Sequence, residues 1–187
     1  VPQTQFEFQV QAAAAPVYQN ETCLGALFFA TPLNGRIENE RFFFDFPHFG
    51  ETWISANDII ENEKCSFSSK KLIELAEKFV GIPYLWGGIS PMGFDCSGFV
   101  QTLYRFFQIQ LPRDSTPQRH QLAKTDAPQA GDLAFFPGHV VLMTDSQNFI
   151  HANFFDNRVF YGSFDMQSPL FRQQLASQLL GFRRVEN

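Results

Sequence analysis

Polar and apolar residues alternate along Gln5-Phe6-Glu7-Phe8-Gln9-Val10, the period-two pattern of a half-buried strand. Short apolar stretches follow at residues 24–32, 41–46 and 51–55, separated by turn formers such as Asn34-Gly35 and His48-Phe49-Gly50. Only Asn57-Asp58-Ile59-Ile60 suggests a helical turn in this half. Residues 1–62 are therefore predicted to form a small all-β barrel of about five strands. Residues 61–69 are polar and charged and read as a linker.

Beyond the linker the period changes. Leu72, Leu75, Ala76 and Phe79 fall at i, i+3, i+4 and i+7 behind a cap at Ser68 or Ser69, and Gly81 and Pro83 end the helix. A second helix is predicted from about Cys96 to Phe107, with Phe99, Val100, Leu103, Phe106 and Phe107 inward. Strand candidates follow at 132–136, 139–144 and 148–152, and 158–161 and 181–185 extend the sheet. Helices first and strands afterwards is an α+β order. The predicted division is 1–62 and 63–187.

Composition narrows the function classes. Lys+Arg 14 against Asp+Glu 19 gives a net charge of −5, which argues against a nucleic-acid partner. Hydrophobic residues at 44% and charged residues at 18% exclude a disordered chain. No apolar run reaches the roughly 18–20 residues of a membrane span. The three cysteines (Cys23, Cys65 and Cys96) are too few and odd in number to form a disulfide framework. Val1-Pro2-Gln3-Thr4-Gln5 shows neither an initiator Met nor a signal core, which leaves a cytoplasmic and an exported setting equally open.

Asp95-Cys96-Ser97-Gly98 places a cysteine where a Gly-rich loop meets a helix start, with Asp95 available as N-cap. Unpaired N–H groups there favour thiolate over thiol and suit an oxyanion beside the sulfur. A buried structural thiol is the plainer alternative. A hairpin closing around Asp145 would set His139 directly opposite His151 on one face, giving a base and an orienting group for Cys96. Two ordinary strand histidines are the alternative. A zinc site from Cys96, His139 and His151 matches no common ligand spacing, and no metal or cofactor is expected.

Tyr84-Leu85-Trp86-Gly87-Gly88, Phe94-Asp95-Cys96-Ser97-Gly98-Phe99 and Leu111-Pro112-Arg113-Asp114-Ser115 together resemble the NlpC family of bacterial cell-wall cysteine peptidases. So do Ala130-Gly131-Asp132-Leu133-Ala134-Phe135-Phe136, Gly138-His139-Val140 and Ile150-His151-Ala152, so that the likeness spans roughly 70–185. The resemblance implies a papain-like catalytic domain with an antiparallel sheet, Cys96 as nucleophile, His139 as base and His151 as the polar third member. It implies hydrolysis of peptidoglycan stem peptides, commonly between γ-D-glutamyl and a diamino acid. Thr52-Trp53-Ile54-Ser55-Ala56-Asn57-Asp58-Ile59 resembles the closing strand of bacterial SH3-like domains, which some members carry in front.

In that group the residues matching Tyr84, Asp95, Ser97, Asp114 and Ser115 hold the first stem residues and a free amine, and Trp86 lines the groove. The tyrosine often found just before the closing-strand Trp is absent here, where His48-Phe49-Gly50-Glu51-Thr52-Trp53 stands; Tyr18 and Glu21 are substitutes to consider. Tyr84 and Trp86 also suit a core role, and Asp114 and Ser115 a helix cap. The expected partners are stem peptides or muropeptides, with a monomeric chain serving either cytoplasmic muropeptide recycling or the periplasm and cell wall. The competing readings are an amidase or acyltransferase on another amide or ester, and a catalytically silent wall-binding module.

Overall fold

The computed structural model describes residues 6–186, which divide into two bodies. The first comprises the residues up to Ser66 together with Phe106–Gln108, and the second comprises Phe67–Arg105 and the chain from Ile109 onward.

Eight short strands build the first body: β1 (Phe8–Val10), β2 (Ala14–Gln19), β3 (Thr22–Phe28), β4 (Pro32–Leu33), β5 (Arg36–Glu38), β6 (Arg41–Phe46), β7 (Gly50–Ser55) and β8 (Ile59–Glu61). They form an antiparallel five-stranded sheet, β3-β2-β7-β6-β5, and a three-stranded sheet, β4-β1-β8. Alternation in β6 works as expected. Phe42 and Phe44 point into a core with Val10, Ala15, Val17, Ile54 and Ile59, while Asp45 faces solvent. The strand count exceeds the five expected because the Ala- and Pro-rich segment at β2 has low strand propensity and no alternation to betray it. The linker also starts later than residue 61. Phe8 pairs with Glu61, and a 3₁₀ turn occupies Asn62–Lys64, because backbone pairing at a sheet edge needs no apolar side chain. The start of the first predicted strand, Gln5, lies outside the described residues, and Phe6 is exposed.

The second body starts with α1 (Ser69–Glu77), whose first turn is capped by Ser68 Oγ accepting from the Lys71 amide at 3.2 Å. Leu72, Leu75 and Ala76 form its buried stripe. A small hairpin, β9 (Ile89–Ser90) with β10 (Gly93–Phe94), leads into α2 (Cys96–Phe106). Then come α3 (Ser115–Gln121), β11 (Ala123–Thr125), β12 (Leu133–Phe136), β13 (His139–Met143), β14 (Asn148–Asn153), β15 (Arg158–Ser163), α4 (Gln173–Ser177) and β16 (Gly181–Arg184). The six strands form one sheet in the order β11-β16-β12-β13-β14-β15, antiparallel throughout. All four residues of β12 are buried, so the run reads as continuously apolar rather than alternating. No helix among the described residues is long and apolar enough to cross a membrane.

The β13–β14 hairpin corrects one expectation. Its pairs are Leu142 with Ile150 and Met143 with Phe149, a register centred on Ser146 and not on Asp145. His139 is therefore not directly opposite His151. Asp145 sits at the turn's entry because its carboxylate accepts from the amides of Gln147 (2.7 Å) and Asn148 (2.8 Å), an Asx-type turn that fixes the loop one residue later.

Candidate active site

Cys96 opens α2 and is 8% exposed. The preceding Asp95 caps the helix as expected. Its Oδ1 accepts from the Gly98 amide at 2.7 Å, and its carbonyl accepts from the Phe99 amide at 2.9 Å. The glycines around the cysteine answer to crowding: a Cβ on Gly98 would lie 2.2 Å from the Gly88 carbonyl oxygen, and one on Gly88 2.3 Å from that of Gly93. The loop and the helix start can pack this closely only without side chains.

The thiol does not sit in the activated state that the helix start suggested. Burial, the largest influence, pushes it up, and the Asp95 carboxylate adds to this. The amides of Val140, Ser97 and Cys96 work the other way without prevailing. Sγ donates weakly to the Gly138 carbonyl at 3.9 Å. The resting form is a neutral thiol.

His139 and His151 do meet, diagonally. His139 Nε2 and His151 Nδ1 are 2.8 Å apart, with ring centroids 5.1 Å apart at 64°. The ring of Phe149 stands edge-on to His151 at 5.1 Å and completes its burial, leaving it 1% exposed. Burial holds His139 near pKa 4 and His151 well below the usual histidine range, the latter helped by His139 and by the charge of Arg172. Both rings are neutral at neutral pH. With His139 Nε2–H donating to His151 Nδ1, the lone pair of His139 Nδ1 is left to take a proton.

Cys96 and His139 line one cleft of about 520 Å³ with Tyr84 and Trp86. Trp86 is 87% exposed, so it forms a rim, and Tyr84 packs edge-on against Phe154 with centroids 5.9 Å apart. Burial and the nearby Cys96 and Asp95 push the Tyr84 hydroxyl up, so it stays protonated.

Asp95 and Ser97 lie outside that lining, buried and engaged with Arg113. The guanidinium binds both oxygens of Asp95, Nη1 to Oδ1 at 3.0 Å and Nη2 to Oδ2 at 2.5 Å, and Nη1 also donates to Ser97 Oγ at 3.0 Å. The Asp95 carboxylate further accepts from the Gly87 amide at 2.9 Å. Gln118, fully buried, donates to the carbonyls of Ser97 and Pro112. Asp114 and Ser115 are likewise outside the cleft lining. Asp114 is exposed at the N-cap position of α3 without a side-chain capping bond, and its charge reaches Arg113.

Several residues in and around the site carry no signal of their role in the sequence. Arg113 stood inside a motif that was read for its acid and hydroxyl. Phe154-Phe155, 71% and 79% exposed, are adjacent aromatics in a polar turn, a pattern that no core packing explains. Arg172 and its partner Asp156 are sixteen residues apart and left no local signal. Tyr18 stacks on Trp53 within the first body, centroids 4.5 Å apart, and Glu21 pairs with Arg41 at 3.7 Å on its surface. None of the three cysteines is in a disulfide: Cys23 is exposed, and Cys65 is buried against Gln9 Nε2 at 3.1 Å. Among the described residues no group of three or more His, Cys, Asp or Glu is placed to hold a metal ion.

Comparison with known proteins gives a consistent result. The profile of the NlpC/P60 family matches residues 81–180. Dipeptidyl-peptidase 6 of Lysinibacillus sphaericus is 37% identical over 113 residues, covering 59% of this chain and 42% of that protein. A gamma-D-glutamyl-L-lysine dipeptidyl-peptidase of Bacillus cereus is 35% identical over 120 residues, 57% of this chain and 36% of that one. Among solved structures, an NlpC/P60 family protein from Bacillus cereus superposes with a TM-score of 0.78 at 27% identity, over 95% of this chain and 62% of the other. The matched region thus spans less than half the length of these two curated relatives.

Proposed function

The chain belongs to the NlpC/P60 family, and we propose that it is a cysteine endopeptidase hydrolysing peptidoglycan stem peptides at the γ-D-glutamyl–diamino acid bond. The observation that carries this reading is a thiol at a helix start sharing one cleft with an imidazole that a second buried imidazole holds in place.

In this reading Cys96 Sγ attacks the γ-glutamyl carbonyl as His139 Nδ1 takes the thiol proton. The imidazolium that forms is stabilised through its Nε2–H to His151 Nδ1. Amides at the start of α2 are suited to the oxyanion. His139 then protonates the leaving amine, and water hydrolyses the thioester with His139 as base. Starting from thiol and neutral imidazole, the chemistry needs no pre-formed ion pair, only a transfer coupled to attack. The folds we assign are an SH3-like barrel over residues 1–62 and a papain-like domain over 63–187, supported by the short antiparallel strands of the first body and the α2-plus-sheet arrangement of the second.

Asp114 and Ser115 belong to this reading as recognition groups for a free N-terminal amine. The exposed Asp114 carboxylate, which stands outside the cleft lining, is available to pair with an ammonium group, and its neighbour Arg113 is held in place by Asp95 and Ser97. The test is cleavage of L-Ala-γ-D-Glu-diaminopimelate and its N-acetylated form by wild type, Cys96→Ala and Asp114→Ala, with products identified by mass spectrometry. Wild type should cut the free-amine peptide faster by about one to two decades. Asp114→Ala should lose most of that preference, and Cys96→Ala should cut neither. Wild-type rates from Cys96→Ala would overturn the mechanism; equal wild-type rates on both peptides would remove the amine pocket from it.

A further inference from the structure

Among the cleft's lining residues Arg172 is the one that carries a formal charge, and no carboxylate lines the cleft beside it. The guanidinium is held rather than mobile. Its Nη2 donates to Asp156 Oδ2 at 2.8 Å, and Asn153 Nδ2 donates to the same oxygen at 2.8 Å. The Arg172 stem lies over Gly162, where a Cβ would approach Arg172 Cγ to 3.2 Å and collide with the Phe149 ring. The Arg172 side chain is 30% exposed, and its Nε is buried with no hydrogen-bond partner. Nε has no surface that a ligand could reach, so the donors open to a ligand belong to the terminal nitrogens of the partly exposed guanidinium, of which Nη2 already serves Asp156. Around it Gln173, Gln174 and Gln178 line the cleft beside Phe171 and Leu175, adding donors without negative charge.

Resting on the peptidase reading above, we propose that Arg172 forms a carboxylate-binding subsite for the leaving diamino acid. A planar fork with spare donors suits a carboxylate and offers no acceptor to an ammonium group. Two oxyanions of the leaving residue have this chemistry: the side-chain carboxylate of a diaminopimelate and the α-carboxylate of a stem ending at the diamino acid. A lysine side chain offers only a cation. The chain thereby discriminates on the leaving side of the scissile bond, a selection separate from amine recognition at Asp114.

The test uses the full chain and four tripeptides, L-Ala-γ-D-Glu-X, with X as diaminopimelate, diaminopimelate with its side-chain carboxylate amidated, lysine, or lysine amide. Removing the recognised carboxylate should lower kcat/KM about tenfold, and which amidation does so identifies the source. The effect should shrink as salt is raised, since the pair is partly exposed. Arg172→Gln should bring the ratio between acid and amide substrates close to one, and Arg172→Lys should keep part of it. If Arg172→Gln does not fold, the wild-type ratios and their salt dependence decide. Equal kcat/KM on all four peptides would overturn the subsite while leaving the peptidase reading intact. No hydrolysis of any would overturn both.

Discussion

A half-buried imidazole, a buried one and a buried thiol share a design in which desolvation keeps every member neutral. That makes the nucleophile depend on its base at the moment of attack, so Cys96→Ala and His139→Ala should each lower turnover by about a thousandfold or more. The double variant should lose little beyond either single one. His151 acts through His139, so His151→Ala should slow turnover by roughly ten- to a hundredfold, and His151→Asn or His151→Gln should recover part of this. The pH dependence follows from the same burial. With His139 held near 4, the acid limb of kcat/KM should fall near pH 4 and not near 6.5, and steady-state kinetics between pH 3.5 and 8 reads it. Stability takes the corresponding sign. The unfolded chain protonates these histidines around pH 6.5 while the folded chain does not, so their contribution is complete above that value and is lost as pH falls toward about 4. Thermal melts should show a steeper fall in Tm from pH 7 to 4.5 for wild type than for His151→Gln. Parallel curves would mean that His151 is charged in the fold.

Helix α2 owes its position to contacts that no side chain could share. Gly98→Ala places a Cβ 2.2 Å from the Gly88 carbonyl oxygen, a backbone atom that cannot swing aside. The loop before Cys96 must then shift, and turnover should fall by at least tenfold with little change in far-UV CD. An active, unshifted Gly98→Ala would show that the loop has slack. This element was legible in advance because its signals are local: the cap at Asp95, the glycines and the apolar spacing through Leu103 all lie within a few residues. The α1 stripe was legible for the same reason. What escaped was set at a distance or by backbone alone. The β13–β14 register turned on Asp145 accepting from two amides rather than occupying the apex, so the two histidines meet diagonally. β8 forms by pairing with β1, about fifty residues earlier in the chain, and the Arg113 clamp on Asp95 joins residues eighteen apart. At Cys96 the helix start is visible in sequence, whereas the depth of burial that pushes the thiol up is not.

At the scale of the whole molecule, the second body is finished by its own last strand. β16 inserts between β11 and β12, so the sheet cannot be complete until β16 is in place. One ion pair fastens that closure. Arg184 binds Asp132 through two bonds, Nε to Oδ1 at 2.9 Å and Nη2 to Oδ2 at 2.7 Å, and Asp132 is only 2% exposed. The carboxylate has a second duty in the turn before β12, where Oδ2 also accepts from the Gln129 amide at 2.9 Å. Removing the arginine leaves a buried charge with one neutral donor, which costs far more than losing a surface pair. Arg184→Ala should therefore lower Tm by several degrees. Asp132→Asn with Arg184→Ala should restore part of the loss, because the amide can stay buried without a counter-charge. Neither residue lines the catalytic cleft, so kcat/KM measured well below the transition should stay within about twofold of wild type. An Arg184→Ala protein that melts with wild type would place the closure in the strand pairing alone, and one that melts normally but loses turnover would tie β16 to the cleft.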